Sequence, residues 1–178
     1  PRMKTEGPPI PDRIELLPGL DALTIRRRWR SWKLVPLLIF VIAWDSFLFF
    51  WYSMALSSKG APWIAIVFPI GHLAVGVGLT YFVIASLLNN SDVILSPSRV
   101  AVRTYPIPWP ADRELSPGDI ADTRVKPAGR TLNTDTYEIR YRTRANREKK
   151  LVGGGLTDDE AVFIEYHIRK TIGLADAD

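Results

Sequence analysis

Two long apolar runs dominate the pattern of hydrophobic and polar positions. From Leu34 to Leu56 the chain reads LVPLLIFVIAWDSFLFFWYSMAL, in which Asp45 is the one formal charge. From Pro62 to Leu88 it reads PWIAIVFPIGHLAVGVGLTYFVIASLL, with His72 as its one titratable side chain other than Tyr81. At about 1.5 Å rise per residue each run is long enough to cross a hydrocarbon core of about 30 Å, and neither offers the polar face of a soluble amphipathic helix. The pattern predicts transmembrane helices over 34–56 and 62–88, joined by a periplasmic turn at 57–61. The first run lies 33 residues in and lacks a small-residue cleavage site, which argues against a signal peptide.

Outside these runs the period changes from helical to two. Residues 1–12 are Pro-rich and predict an extended arm. Ile14 and Leu16 alternate with polar residues, Pro18-Gly19 signals a turn, and Leu23, Ile25 and Trp29 alternate again, predicting a β-hairpin within 13–33. After the second run, alternation at Val93 and Leu95 and at Val100, Val102 and Thr104 predicts two more strands. The prolines of Tyr105 to Pro110 mark an edge or loop. Further strands are expected at 120–126, 136–143 and 148–152, giving seven in all and a cytoplasmic β domain over 89–156. The chain closes with a helix at 157–174 and a tail at 175–178. Thr157 and Glu160 form a capping box, Ala161, Ile164, Ile168 and Ile172 make one apolar stripe, and Gly173 is the stop.

Charge refines this picture. The net charge is +4 and the mean hydropathy +0.02, values that suggest an ordinary soluble domain until they are resolved by segment. Residues 1–33 carry 8 basic and 4 acidic groups, 34–88 one of each, and 89–178 carry 14 of each, so the whole excess precedes the first run. Arg26, Arg27, Arg28, Arg30 and Lys33 crowd that flank, against Lys59 alone in the turn. The positive-inside rule then places both termini in the cytoplasm, and the collar would also attract anionic headgroups. Trp29, Trp32, Trp51, Tyr52, Trp63 and Tyr81 suit interfacial anchors.

Candidate chemistry is sparse. Cysteine is absent and only two histidines occur, which excludes disulfides, thiolate metal sites and cysteine nucleophiles. Asp45 and His72 fall at nearly equal depth in an antiparallel hairpin, about 15 Å from its turn. An unpaired ionised aspartate at mid-bilayer costs about 2.5–3.5 kcal/mol, so an Asp45–His72 contact is expected, as a structural clip or as part of a proton path or a pigment or metal site. Gly71, Ala74 and Gly78 form a small-residue stripe suited to close helix packing, within the hairpin or against a foreign helix. Arg140, Arg142 and Arg144 share a strand face, and Arg147, Lys149 and Lys150 extend the charge, as a solvated face or as a site for headgroups or an acidic partner. Gly153-Gly154-Gly155 reads as a flexible strand-to-helix turn, because Asp158, Asp159 and Glu160 oppose a phosphate at that helix end. His167 reads as a solvated helix-face side chain, and no catalytic constellation emerges.

The segments FLFFWYSMAL, FPIGHLAVGVGLTYFVIASLLN and VRTYPIPWPADREL together resemble a family of small bacterial inner-membrane proteins with two spans and a PH-like β domain. The likeness runs from Ile14 to Leu174 and is most specific at 71–81 and 106–110. It implies an α+β membrane protein in which a two-helix transmembrane hairpin is inserted into a PH-like antiparallel β domain with a C-terminal amphipathic helix. It brings no catalytic residues. The expected function is a non-catalytic accessory subunit of a large inner-membrane complex, photosynthetic or respiratory. The alternative is a membrane-anchored module binding anionic lipid or a peptide in envelope homeostasis. Expected partners are other membrane-protein subunits and lipids, with no cofactor, nucleic acid or small-molecule substrate.

Overall fold

A computed structural model describes residues 7–58, 60 and 62–174, so residues 1–6 of the N-terminal arm, Lys59 and Ala61 of the turn, and the 175–178 tail lie outside the described residues. The chain divides into two units. One comprises the segments up to Trp29 and from Asn89 onward; the other is Arg30–Leu88.

Alternating apolar positions build the first unit as two antiparallel sheets. Strands β1 (Ile14–Pro18), β2 (Leu23–Arg28), β3 (Asn90–Leu95), β4 (Val100–Tyr105) and β5 (Arg113–Leu115) form one sheet in that order. Strands β6 (Ile120–Thr131), β7 (Thr134–Thr143) and β8 (Glu148–Leu156) form the other. Among the described residues eight strands stand where alternation predicted seven; β5 is the addition. β2 and β3 are neighbours in register from Leu23↔Leu95 to Arg28↔Asn90, although the whole of 30–88 lies between them.

The inward residues of both sheets, among them Ile25, Val93, Val102, Ile139, Tyr141 and Leu151, meet Phe163, Ile164 and Ile168 of helix α4 (Asp158–Ile172) in one core. The capping box at Thr157 and Glu160 starts α4, and Gly173 ends it with φ +71°. Gly153 to Gly155 are not a loop, as expected above, but part of β8. There, Tyr137↔Leu156 and Ile139↔Val152 pairing absorbs extra residues in a bulge, and Gly155 takes φ +74°.

The second unit holds α1 (Val35–Ser57), α2 (Trp63–Val67) and α3 (Ile70–Leu88). A 3-10 turn at Trp32–Leu34 precedes α1. Including that turn and the short α2 segment, Trp32–Ser57 and Trp63–Leu88 are both long and apolar enough to span a membrane. The second is not continuous as predicted: it breaks at Phe68 and Pro69, because Pro69 has no N–H to donate to Ala65 and its ring crowds that carbonyl.

Candidate functional site

The groove between α1 and α3 is the site with the most unusual chemistry, since it contains the one carboxylate of the apolar pair. Val41 and Leu48 of α1 and Gly76 and Val83 of α3 are the buried seam, seven residues apart on each helix. Close approach is set by Gly76. A Cβ there would lie 2.8 Å from Asp45 Oδ1 and 3.3 Å from both Leu48 and Trp44.

Asp45 meets Thr80 and not His72: the Thr80 hydroxyl donates to Asp45 Oδ2 at 2.6 Å. Helical Cα–Cβ bonds tilt toward the helix N-terminus. In an antiparallel pair Asp45 therefore leans toward the start of α1, where α3 ends, and Thr80 leans back to meet it, whereas His72 leans away. The His72 ring instead stacks on Trp44 (5.7 Å) and lies 5.6 Å from Phe68, and its carbonyl accepts from Trp44 Nε1 at 3.3 Å.

The small-residue stripe is not the face that packs within the pair, which leaves its alternative, packing against a foreign helix, open. Gly71, Ala74 and Gly78 are exposed, and a Cβ at Gly71 or Gly78 would meet nothing within 4 Å. Gly76 lies two residues, about 200° of helix, from both Ala74 and Gly78, and it is Gly76 that faces α1. Two aromatic donors of α1 serve the Pro69 break. Trp51 Nε1 donates to the freed Ala65 carbonyl at 3.0 Å, and the Tyr52 hydroxyl to Ile66 at 3.3 Å. On one side of this seam the helices leave a groove of about 700 Å³, walled by Asp45, Leu48, Phe49, Tyr52, Ser53 and Leu56 and by Leu73, Val77, Thr80, Tyr81 and Ile84.

Three cations of the predicted collar, Arg26, Arg27 and Arg28, pair within the first unit. Arg26 makes a two-pronged bond to Asp92 (3.0 Å each), and Tyr105 donates to the same carboxylate at 2.9 Å. Arg27 is buried, with Nε 2.9 Å from Glu160 and Nη2 donating to the Gly155 carbonyl at 2.5 Å. It is therefore not a headgroup ligand; burial pushes its guanidinium below the ordinary range, and Glu160 opposes that shift. Glu160 also meets Arg13 at 2.8 Å and accepts the Thr157 N–H at 3.0 Å. Arg28 pairs with Glu15 at the surface, and Arg30 and Lys33 are exposed.

The basic strand face is likewise less cationic than its sequence. Arg140 (2.6 Å) and Lys150 (2.5 Å) both clamp the buried Glu138, and Lys126 holds Glu148 at 2.7 Å. Burial raises the Glu138 carboxyl, but Lys150 and Arg140 outweigh it and hold it below its ordinary range. Arg142, Arg144, Arg147 and Lys149 are exposed and form no ion pair among the described residues.

No protein-family model matches the chain, and no curated protein is detectably similar to it. The resemblance drawn from its three segments therefore remains an expectation. Among the described residues, no group of three His, Asp or Glu side chains is arranged to hold a metal ion. His167 is half-buried rather than solvated, 4.6 Å from Phe163; burial and then Lys170 lower its pKa.

Two functional positions escaped sequence reasoning. Thr80 had a signal, since a hydroxyl four residues after Gly76 shares that residue's face. Glu160 was legible only as a cap, because its two arginines come from the other end of the chain.

Proposed function

We propose that the chain is a non-catalytic accessory subunit of a larger bacterial inner-membrane complex, crossing the bilayer twice with both flanks in the cytoplasm. The observation that carries the reading is topological. The segments before and after the apolar pair form one compact unit, with β2 hydrogen-bonded to β3. A unit built from both flanks lies on one side of any bilayer, so the helices between them must cross an even number of times. Burial supports insertion: only 17% of each helix's apolar window is covered, whereas a core helix of a soluble protein would be mostly buried. Phe40, Phe47, Phe49, Phe50 and Phe68 are left exposed, as suits contact with lipid or with other helices. Orientation rests on Arg26, Arg27, Arg28, Arg30 and Lys33 against Lys59.

We read the soluble unit as a PH-like β domain, supported by two antiparallel sheets closed by one C-terminal helix; β5 makes the count five plus three. Its ion pairs join its own strands and helix rather than converging on a cleft, which favours a structural role. The deciding experiment is gentle solubilisation of native membranes, native electrophoresis and identification of what migrates with the chain. Defined co-migrating membrane subunits support the reading; a lone monomer or homodimer overturns it.

The second reading, a membrane-anchored module for anionic lipid or an acidic peptide, is favoured by Arg142, Arg144, Arg147 and Lys149. Reversing the charge of Arg142, Arg144 and Arg147 together tests it. Retention on anionic vesicles that survives this change removes the lipid version.

A further inference from the structure

We propose that the groove between α1 and α3 seats a membrane-spanning helix of another subunit, which presents a lysine or arginine to Asp45. This rests on the accessory-subunit reading and names the contact that such a subunit would make. The argument begins with the carboxylate. Asp45 Oδ2 accepts from Thr80, whereas Oδ1, which lies over Gly76, accepts no hydrogen bond among the described residues. A carboxylate at membrane depth demands a donor or a counter-charge. The apolar helices contain no lysine or arginine between Leu34 and Ser58 or between Pro62 and Leu88, so neither this pair nor a second copy of it supplies such a cation at that depth.

The shape of the groove selects the occupant. Its walls carry Asp45, Phe49, Tyr52 and Leu56 on α1, and Leu73, Val77, Thr80 and Ile84 on α3, spaced three or four residues apart on both helices. The groove thus runs straight for about three turns, ~16 Å at 1.5 Å per residue, which matches the side of a third helix packed ridge into groove. A lipid chain would fit the length but would bring nothing to Asp45.

The test places a photo-crosslinking residue at Val77 in the full chain and irradiates native membranes. The expected adduct joins Val77 to a spanning segment of one other protein, mapped by mass spectrometry, with a lysine or arginine within about one turn of the linked residue. Asp45→Leu is expected to lower the adduct about tenfold, equivalent to about 1.4 kcal/mol, the scale of a polar contact between membrane helices. Thr80→Val removes the internal bond but keeps the carboxylate, so it should retain the adduct and thereby separate recognition from hairpin damage. An adduct with lipid alone, with a second copy of the chain or with a helix lacking a basic residue overturns the proposal, as does an adduct undiminished by Asp45→Leu. If Val77 links only lipid while the chain still co-migrates with other subunits, the groove proposal fails and the subunit reading stands. If the chain migrates alone, the subunit reading fails as well.

Discussion

Replacing Glu160 by glutamine should loosen the β-sheet unit far more than replacing Arg27 by methionine, although the two side chains face each other at 2.9 Å. Glu160 is 1% exposed and accepts from Arg27, Arg13 and the Thr157 N–H. Glutamine keeps the shape and one acceptor but removes the charge that two guanidinium groups share, leaving Arg27, 4% exposed, without its counter-ion. Breaking a buried pair from one side costs about 3–5 kcal/mol. Against a typical domain stability of about 5–15 kcal/mol, that is a large fraction of the total. Arg27→Met instead removes the buried cation. Glu160 keeps Arg13 and its cap, so the loss is the donor to Gly155 and one partner of Glu160, roughly 1–3 kcal/mol.

The assay is hydrogen exchange of the full chain in mild detergent over a urea series, reading peptides from β2 and α4 so that the apolar pair is followed separately. The double variant should lose less than the sum of the single ones, because without Arg27 there is no buried cation for glutamine to strand. A Glu160→Gln loss under about 1 kcal/mol, or an Arg27→Met loss exceeding it, would refute the reasoning, since both contradict a stranded buried charge.

Three further outcomes follow from the same geometry. Gly76→Val should separate α1 from α3 and lower the detergent melting temperature of the pair, because its Cβ falls 2.8 Å from Asp45 and 3.3 Å from Leu48 and Trp44; Gly71→Val and Gly78→Val, whose surroundings are open, should change it little. Trp51→Phe leaves the Ala65 carbonyl without its indole donor and should cost about 1 kcal/mol in the same melt, with no effect on exchange in β6 and β7. Burial holds the Glu165 carboxyl above its ordinary range, an effect that Thr123 and Arg169 reduce, so its stabilising contribution is complete below the unfolded value and lost as pH rises through the folded one. Glu165→Gln should therefore flatten the decline of melting temperature across that window, while the acid-side loss remains, because Glu138 and Glu148 are held low by their basic neighbours and lose their contribution as pH falls.

Both apolar helices were legible because run length decides them, and α4 because its cap, stripe and stop agree. What escaped depends on partners distant in sequence. Strand β5 is three residues, Arg-Glu-Leu, with no alternation to read; it exists through pairing of Val100 with Leu115 and the Arg103–Glu114 bridge at 2.7 Å. Parity placed Arg140 and Arg142 on one face of β7, but Arg144 falls in the turn beyond Thr143, and parity on one strand does not reveal that Glu148 of β8 stands opposite Arg142, or that Glu138 gathers both Arg140 and Lys150. Counting residues from the hairpin turn placed Asp45 level with His72. It located backbones and neglected the direction of Cβ, which moved the contact two turns along α3. Pro69 stands within the second apolar run, but run length alone takes no account of its missing donor.

The insertion point couples the two units energetically. The sheet pairs Arg28 directly with Asn90, and the Trp29 N–H still donates to the Asn89 carbonyl at 3.2 Å, so Arg30–Leu88 is in effect the loop of a β2–β3 hairpin. Were those roughly 60 residues a flexible loop, closing them would cost about 3–4 kcal/mol before β2 met β3. Two antiparallel helices bring their own outer ends together, so their packing bears most of that cost, and by linkage the β2–β3 ladder favours helix packing to the same degree. Gly76→Val should therefore lower exchange protection in β2 and β3 as well, by no more than that amount, because the closure cost sets the ceiling of the coupling and helices that span a bilayer, as proposed, would keep some constraint on the loop ends even when they part. Unchanged protection in β2 and β3 beside a clearly weakened helix pair would show that the Gly76 contact does not hold the insertion closed, and would refute the coupling.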